Sequence, residues 1–252
     1  METEQPSAPL RALRVLEAIA QAEGPVSLTE IIAATGLPKP TAHRLLALLE
    51  VAGMLAREPE GKRYAPGPRL ASLALAVQSN AAWRAPRHAI LQSLVAEIGE
   101  TCNLTMLDGA EVVYLDRVEA AWPLRLHFQV GSRVPAHASA SGKLLLALLP
   151  ARTRRRLVAA MPLTRYTANT LSEPGVLEAA LTSIRKQRLG TDAEEYLAGT
   201  VCVAVPVESK TKHVPAALAV HAPLTRMSLD QALAHVPALR RAAASLAETF
   251  AV

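Results

Sequence analysis

Three breaks divide the first part of the chain into helical segments that are too short to be stable alone. They lie at Gly24-Pro25, at Gly36 and at Gly53, where glycine adds backbone freedom and proline removes a hydrogen-bond donor. Isolated helices shorter than about 12–15 residues are marginal in water. The segments must therefore pack against one another, and their spacing predicts a compact helical unit at the start of the chain.

Local signals define each of these helices. The first is predicted from Leu10 to Ala22, because its apolar residues recur every three or four positions. Ser27 and Glu30 fit a capping box that begins the second helix, and Gly36 suits its left-handed end. The third helix is predicted from Pro38 to Val51, and the apolar residues expected to face the core are Leu45, Leu48 and Leu49.

Two extended runs follow the third helix. Met54–Arg57 and Lys62–Ala65 flank the turn Glu58–Gly61, which contains proline and glycine, and this pattern is typical of a β-hairpin. Three helices followed by a hairpin predict a winged helix-turn-helix. In that fold, the N-terminal residues of the second helix of the motif reach the base edges in the DNA major groove.

The candidate DNA-binding residues lie at three places in this unit. The start of the third helix presents side chains that can neutralise phosphates or read bases, the wing carries two cations, and the second helix begins with two hydroxyls. Proline is tolerated near a helix start because its missing N–H would have no partner there. The predicted set is Ser27, Thr29, Lys39, Pro40, Thr41, His43, Arg44, Lys62 and Arg63.

The charge of the chain does not by itself identify the DNA-binding part. The formal net charge is +5, which taken alone suggests a nucleic-acid partner. Residues 1–80 carry eight Lys/Arg and eight Glu, however, while residues 81–252 carry nineteen Lys/Arg against fourteen acids. Because the first unit is net neutral, a few well-placed cations must attract the DNA. We therefore expect Lys39, Arg44, Lys62 and Arg63 to share one surface.

The remaining residues predict a second, larger domain. A linker helix from Arg69 to Gln78 comes first, and its apolar face could connect the domains or pair with a copy of itself. Helices and strands then follow without strict alternation, which indicates an α+β fold. The predicted helices are Pro86–Gly99, Ser139–Leu149, Ala151–Met161, Glu173–Arg188 and Leu229–Phe250, and the predicted strands are Thr101–Leu107, Glu111–Arg117, Leu124–Val130, Val201–Val207 and Val214–His221.

The run Thr35–Leu46, with Leu49-Glu50 and Gly53 after it, resembles the IclR family of bacterial transcription regulators. The resemblance continues in Val130–Lys143, Thr167–Thr170, Gly190–Glu195 and Gly199–Val207. It implies an α+β protein with an N-terminal winged helix-turn-helix domain, a linker helix and a C-terminal GAF-like effector-binding domain. The family commonly has serine at the position of Pro40, so any base contact by that hydroxyl is absent here.

The resemblance also implies how the chain is divided and what it binds. We expect a flexible arm over residues 1–8, the DNA-binding domain over 9–68, the linker helix over 69–84 and an effector-binding and oligomerisation domain over 85–252. The expected partners are operator double-stranded DNA, a small-molecule effector and further copies of the chain, which would form a homodimer or a dimer of dimers (a homotetramer). No cofactor is expected.

The effector site is predicted beside the helix that starts at Ser139. Gly131 and Ala138 are small residues near that start, where free N–H groups favour a carboxylate. Alternation along Leu124–Gln129 puts Arg125 and His127 on one face, although both can equally be surface residues. The resemblance adds positions near the family's ligand, namely Asp192, Cys202, Ala204, Ala219 and His221.

Our hypothesis for the effector is an organic acid and, within that class, an aromatic carboxylate. Some family members have serine at the positions of Ala219 and His221. The larger side chain of His221 would therefore change the ligand that is accepted. Each of these residues also has a plain structural interpretation, since Cys202 can be a core residue and a single histidine is often structural.

Enzyme chemistry finds little support in the sequence. Gly142-Lys143 lacks the upstream glycine and the following hydroxyl residue of a phosphate loop. Cys202 has no histidine near it in the sequence, and Val-Cys-Val is typical of a buried strand. Asp192, Glu194 and Glu195 lack the spacing of a strong metal site. We therefore expect neither a catalytic site nor a metal site.

The chain is also expected to be cytoplasmic. Its two cysteines cannot form a disulfide framework, and no apolar run reaches the roughly 20 residues that a membrane span requires. Three hypotheses stay open at this point: a ligand-responsive transcription regulator, a small-molecule enzyme that carries a DNA-binding module, and a ligand-independent DNA-binding or architectural protein.

Overall fold

The computed structural model describes residues 7–22, 24–58, 61–78, 80–122, 128–208 and 216–250. The chain divides into two compact units, Met1–Val77 and Gln78–Val252. The first unit is a winged helix-turn-helix, and the second is an α+β domain built on one antiparallel sheet. The predicted arm over 1–8 falls largely outside the described residues.

Helices and a small sheet form the first unit. Its core is built from the apolar stripes of the three helices together with two hairpin side chains, Leu55 and Tyr64. The strands pair antiparallel in the order β1-β3-β2. The elements are α1 (Ala8–Ala20), β1 (Val26–Ser27), α2 (Leu28–Thr35), α3 (Lys39–Val51), β2 (Leu55–Arg57), β3 (Arg63–Pro66) and α4 (Pro68–Gln78).

The ends of α2 confirm the prediction from local signals. The Glu30 N–H donates to Ser27 Oγ, and the Ser27 N–H donates to the Glu30 carboxylate. Both bonds of a capping box are therefore present, which satisfies two N–H groups that a helix start leaves without partners. Gly36 follows with φ 68°, a left-handed conformation that glycine adopts without steric strain.

The prediction that Leu48 faces the core is wrong. Leu48 is 60% exposed, whereas Leu45 is buried. Successive helical residues are rotated by about 100°, so Ala42, Leu45, Leu46 and Leu49 form one stripe and Leu48 lies to one side of it. The core of the unit uses this stripe, because only one face of α3 can contact the other helices.

One six-stranded sheet organises the second unit. The strands are antiparallel in the order β6-β5-β4-β9-β8-β7. Helices α6 and α8 cover one face, and α5 and α10 pack against the other. The strands are β4 (Thr101–Asp108), β5 (Glu111–Val118), β6 (Arg133–Pro135), β7 (Gly190–Ala193), β8 (Thr200–Val207) and β9 (Ala216–Pro223), and the helices are α5 (Ala81–Ile98), α6 (Ala140–Leu148), α7 (Ala151–Ala160), α8 (Pro174–Gln187), α9 (Leu229–Ala234) and α10 (Val236–Glu248).

One predicted helix is wrong, and one predicted strand is described only in part. The single helix predicted from Leu229 to Phe250 is broken at His235 into α9 and α10, because Pro237 lacks an N–H and its ring crowds the preceding turn. Of the strand predicted over 124–130, residues 124–127 lie outside the described residues, and residues 128–130 are not a strand but lead into a turn, where the Ser132 N–H donates to the Gln129 carbonyl (2.9 Å). The Gly131 N–H and the Ser132 carbonyl bond the backbone of Tyr114, and the strand β6 itself starts at Arg133.

The linker helix predicted from Arg69 to Gln78 is present as α4 (Pro68–Gln78). The wider range 69–84 assigned to the linker also includes the start of a separate helix, α5, at Ala81. Helix α5 continues to Ile98 and carries Pro86 inside it. The strands β6 and β7 were not predicted, because both have at most four residues and are too short for a periodic pattern.

A β-bulge between β4 and β5 shifts the alternation of side chains, so that Tyr114 and Asp116 lie on opposite faces of the sheet. Leu104 pairs with Asp116 and Thr105 pairs with Tyr114, so that Leu115 is the extra residue. Asp116 consequently faces α5, where His88 Nδ1 lies 3.1 Å from each of its carboxylate oxygens. Arg117, the next residue, lies on the α6 side of the sheet.

Glycine at two positions lets helix α6 lie close to the sheet and to the segment that precedes α6. A Cβ atom on Gly190 would overlap the carbonyl oxygen of Ala140, and one on Gly142 would overlap the backbone of Ala136. The side chains of Ala204 and Ala219, beside Gly190 in the same cross-strand row, are also small and fully buried. This row of small residues lets the backbone of α6 lie directly on the strands.

Replacing Gly190 by alanine should therefore destabilise the second unit. We expect Gly190→Ala to lower the free energy of unfolding by about 1–3 kcal/mol, as overpacking in a filled core does, measured by urea denaturation of the full chain. Gly175→Ala is the matched control, since a Cβ there meets no atom within 4 Å. Equal stability of the two variants would show that the close contact with α6 is not limiting.

Candidate functional site

The start of α3 presents polar side chains to solvent. Lys39, Pro40, His43 and Arg44 are exposed, and Thr41 is half-buried, while the intervening Ala42 is buried in the core. Pro40 lies in the first turn of the helix, where a missing N–H leaves no carbonyl unsatisfied. The helix is thus held by its buried stripe while its first turn and a half carries free polar groups.

The two arginines of the hairpin strands, Arg57 and Arg63, bind other residues of the first unit. Arg57 donates to the Glu50 carboxylate (2.8 Å) and lies over the Tyr64 ring. Arg63 donates to the Pro25 carbonyl (2.6 Å) and pairs with Glu30, which ties the hairpin to the start of α2.

In contrast, Lys39, His43, Arg44 and Lys62 take part in no hydrogen bond or ion pair within the described part of the chain. Of the predicted hydroxyls, Thr29 is exposed, and Ser27 accepts the capping hydrogen bond. Arg63 therefore differs from the other predicted contacts, because its guanidinium already has intramolecular partners.

The second unit contains a cavity between the start of α6 and the sheet. The space inside it that the centre of a water-sized sphere can occupy is about 50 Å³. Both polar and aromatic side chains form its walls. The lining residues are Asn103, Thr105, Val112, Tyr114, Phe128, Val134, Ser139, Ala140, Ser141, Asp192, Tyr196, Leu197, Thr200, Val201, Cys202 and His221.

The predicted effector residues fall into three groups. Ser139, Asp192, Cys202 and His221 line the cavity. Four others do not line it: Gly131 lies in an exposed turn, and the side chains of Ala138, Ala204 and Ala219 are fully buried outside the lining. Arg125 and His127 lie outside the described residues.

Cross-strand register brings three of these lining residues into one row. Asp192 pairs with Cys202, and Cys202 pairs with His221, so that the three side chains lie side by side on the α6 face of the sheet. The sequence separates His221 from Cys202, and the expectation that no histidine lies near this cysteine is therefore wrong. Pairing between β8 and β9 is the physical reason.

The Cys202–His221 pair is not set up for nucleophilic chemistry. Burial raises the pKa of the Cys202 thiol well above its ordinary value, so the thiol stays protonated. Burial and the nearby charges of Arg117 and Arg226 lower the pKa of His221 to about 3, so its imidazole stays neutral. An activated cysteine needs the reverse, a lowered thiol pKa next to a basic partner.

The first turn of α6 forms one wall of the cavity. Ser139 caps the helix: its Oγ accepts the Gly142 N–H (3.2 Å) and its carbonyl accepts the Lys143 N–H (2.9 Å). Helix starts leave N–H groups without intrahelical acceptors. In α6 the corresponding groups of Ala140 and Ser141 belong to residues that line the cavity, where they can bind an anion.

Asp192 is the titratable group most altered by this environment. Its side chain is 6% exposed, and burial raises its pKa to about 7, against opposing hydrogen bonds from the backbone of Glu195 and Tyr196. Behind it, the Lys143 ammonium pairs with both carboxylate oxygens of Glu195. Because Lys143 is engaged with Glu195, it compensates Asp192 only in part.

Two polar atoms in the cavity wall lack partners. Asn103 Oδ1 and His221 Nδ1 are buried and accept or donate no hydrogen bond among the residues that the structure describes. A buried polar atom without a partner loses its hydration without compensation. A ligand with matching polar groups would satisfy both atoms.

Several lining residues were not predicted from the sequence. Asn103 and Thr105 are polar residues at alternate positions of a strand whose other face carries apolar Cys102 and Leu104, and that alternation was the available signal. The other unpredicted polar and aromatic lining residues are Tyr114, Phe128, Ser141, Tyr196 and Thr200, which gave no sequence signal for a site.

No group of three metal-ligating side chains is found among the described residues. The same part of the chain has no helix with the length and apolarity needed to cross a membrane.

Two family models match the chain. The IclR helix-turn-helix domain matches residues 8–59, and the model described as bacterial transcriptional regulator IclR C-terminal matches residues 76–248. The probable transcriptional regulator SauR of Cupriavidus necator is 48% identical over 250 residues, covering 99% of each protein. The transcriptional repressor IclR of Escherichia coli K12 is 32% identical over 88% of this chain and 81% of that protein.

A solved structure shares the fold across almost the whole length. It is an IclR homolog from Microbacterium hydrocarbonoxydans complexed with 4-hydroxybenzoate, with a TM-score of 0.59 and 28% identity over 96% of this chain and 98% of that one.

The raised pKa of Asp192 predicts that an uncharged replacement stabilises the protein at alkaline pH. The folded state keeps the Asp192 proton up to about pH 7, whereas an ordinary aspartate loses it near 3.8. Stability should therefore fall as the pH rises between these values. We expect Asp192→Asn to raise the free energy of unfolding at pH 8 by at most about 4 kcal/mol, at roughly 1.4 kcal/mol for each pKa unit.

Urea denaturation at pH 8 and at pH 4 measures this effect, and the gain should be nearly absent at pH 4. Asp108→Asn is the control, since it alters an exposed carboxylate that pairs with Arg133. A gain in Asp192→Asn of equal size at both pH values would show that ionisation of Asp192 is not its cause.

Proposed function

Because the chain belongs to the IclR family of bacterial transcriptional regulators, we propose that its first unit binds operator DNA and that a small organic acid in the cavity of its second unit changes that binding. The members of the family compared with it are transcriptional regulators and not enzymes. The protonated thiol of Cys202 beside a neutral imidazole agrees with that assignment.

One observation carries the DNA-binding proposal: the cations of the first unit are divided into two groups. Arg57 and Arg63 are held by acids and carbonyls of the unit. Lys39 and Arg44 are exposed at the start of α3 without such partners in the described chain. A net-neutral unit can thus present unpaired positive charge at one helix start, where phosphate and base contacts are made.

The residues proposed to contact DNA are those identified from the sequence. Lys39, Thr41, His43 and Arg44 would contact the major groove, with Pro40 inside the same turn. Lys62 would approach the DNA backbone from the wing. Ser27 and Thr29 would donate to phosphates, and Arg63 would first have to leave its present partners or would act by holding the wing in place.

The chemistry of the cavity supports an organic acid as the effector. The N–H groups at the start of α6 favour a carboxylate. The rings of Tyr114 and Phe128 are stacked with centroids 5.4 Å apart, and Tyr196 also lines the cavity. These rings would suit an aromatic carboxylate. The homolog from Microbacterium hydrocarbonoxydans is complexed with such a compound, 4-hydroxybenzoate. Of the residues predicted earlier, Ser139, Asp192, Cys202 and His221 would contact it.

We also propose that the protein acts as a homodimer or a dimer of dimers. Leu73 and Val77 on α4 are half exposed, and α4 connects the two units in sequence. An apolar face on a short connecting helix can be covered by the same helix of a second copy. Two recognition helices would then bind two half-sites.

Sequencing of the genomic fragments that the purified protein retains tests the proposed function. A regulator should enrich a few sites with a shared sequence, and adding the correct organic acid should change their retention. Uniform retention of all fragments would instead favour an architectural protein.

Arg44→Ala and Lys39→Ala should each weaken binding to an enriched fragment by about tenfold, a typical effect of losing one base or phosphate contact. Each lost phosphate contact should also reduce the slope of log affinity against log salt by about 0.9. Fluorescence anisotropy at several salt concentrations measures both effects.

Lys186→Ala is the matched control, because it removes one exposed cation from the second unit and should leave DNA binding unchanged. Wild-type affinity in both single variants and in the double variant would mean that α3 is not the recognition helix.

A further inference from the structure

The charges that line the cavity do not match those of an ordinary acid-binding site. Neither lysine nor arginine belongs to the lining within the described residues, and Asp192 is the one carboxylic acid in it. An anion that enters would therefore share a largely buried space with Asp192. It would find hydrogen-bond donors there but no cation among the described residues of the wall.

Two cations near the cavity, Lys143 and Arg117, are already paired within the described part of the chain. Lys143, on α6, is buried and contacts both carboxylate oxygens of Glu195. Arg117, on β5, donates to Glu119 (3.3 Å) and lies over the rings of Tyr114 and Phe128, 5.9 and 5.7 Å from their centroids. Each cation is compensated by its own acid, so a second anion beside Asp192 would remain uncompensated.

The other titratable groups that face Asp192 are neutral. The loop after β7 contributes Tyr196, whose pKa is raised by burial. Strand β8 contributes Cys202, whose thiol pKa is also raised by burial. In the next strand, burial and neighbouring arginines keep His221 unprotonated. None of the three can offset the charge of an incoming carboxylate by changing its own charge near neutral pH.

We propose that a carboxylate effector enters the cavity together with one proton, which binds to Asp192 and is shared with the effector in a hydrogen bond. This rests on the proposed function, from which it takes only that the effector is an organic acid. The proton comes from solvent and forms an O–H bond on Asp192, while no covalent bond of the effector changes. Two carboxylates in one buried site cannot both stay ionised.

The geometry around Asp192 suits this donor role. The Glu195 N–H donates to Asp192 Oδ1 (2.7 Å), which fixes the carboxyl group at the cavity wall. The N–H groups of Ala140 and Ser141 can hold the effector carboxylate from the side of α6. Because burial already raises the pKa of Asp192 to about 7, protonation is accessible under ordinary conditions. Protonated Asp192 would thereby favour an acid by donating a hydrogen bond to its carboxylate, and not by supplying a charge.

Calorimetric proton counting tests the proposal on the full chain. Benzoate, 4-hydroxybenzoate, acetate and glycolate are titrated at pH 6 and at pH 8, each in two buffers of different ionisation enthalpy. For any acid that binds, we expect uptake of about one proton at pH 8 and much less at pH 6, where Asp192 is already protonated. The Kd should rise by up to tenfold for each pH unit above about 7.

Asp192→Asn supplies the decisive comparison. Its amide remains a neutral donor, so it should bind the same acid without proton uptake and, at pH 8, at least as tightly as the wild type. Asp108→Asn makes the same chemical change at an exposed carboxylate outside the cavity, and it should retain the proton uptake.

The possible failures are distinct. Binding without proton uptake at pH 8 in the wild type, or uptake that persists in Asp192→Asn, overturns the proton proposal and leaves an organic-acid effector standing. A folded Asp192→Asn that no longer binds also overturns it. Failure of all four acids to bind the wild type at both pH values overturns the proton proposal and the organic-acid effector class together.

Discussion

The close contact between helix α6 and the sheet is the constraint on which the second unit depends. It exists because Gly190 has no Cβ atom to hold the backbones of β7 and α6 apart, and because alanines occupy the same cross-strand row. The same contact builds the core, where Leu144 of α6 packs among the strands, and brings the first turn of α6 to the cavity. Core packing and ligand geometry are therefore set by one interaction.

Beside that contact the protein buries groups that would be better solvated in water. Lys143 and Glu195 compensate each other, but burial raises the pKa of Asp192, and His221 Nδ1 has no hydrogen-bond partner within the described residues. Buried groups of this kind lower stability. Their concentration at the wall of one cavity is typical of a binding site, where a ligand supplies the missing partners. Groups that suit ligand binding in this region thus lower the stability of the fold. For this reason a neutral residue at position 192 is expected to stabilise the protein at alkaline pH.

The first unit solves a different electrostatic problem. With no net charge, it can bind a polyanion only if part of its positive charge is left uncompensated at the right place. Ion pairs inside the unit achieve this, because Glu50 compensates Arg57 and Glu30 compensates Arg63, the two arginines of the hairpin. The exposed cations at the start of α3 then remain for DNA. The positions of a few exposed cations, and not the net charge of the chain, therefore support DNA binding by this unit.

The sequence alone determined the elements that depend on neighbouring residues. The capping box at Ser27, the left-handed Gly36 and the hairpin with its turn are all local, so their signals lie within a few positions. Long periodic helices and strands of the second unit were predictable for the same reason. The break before Pro237 was not predicted. The tertiary structure decided which residues line the cavity. Asp192, Cys202 and His221 meet only because three strands pair in one register, and a bulge at Leu115 places Asp116 on the face opposite to Tyr114. Register and packing arise from contacts between distant parts of the chain, and no local pattern contains them.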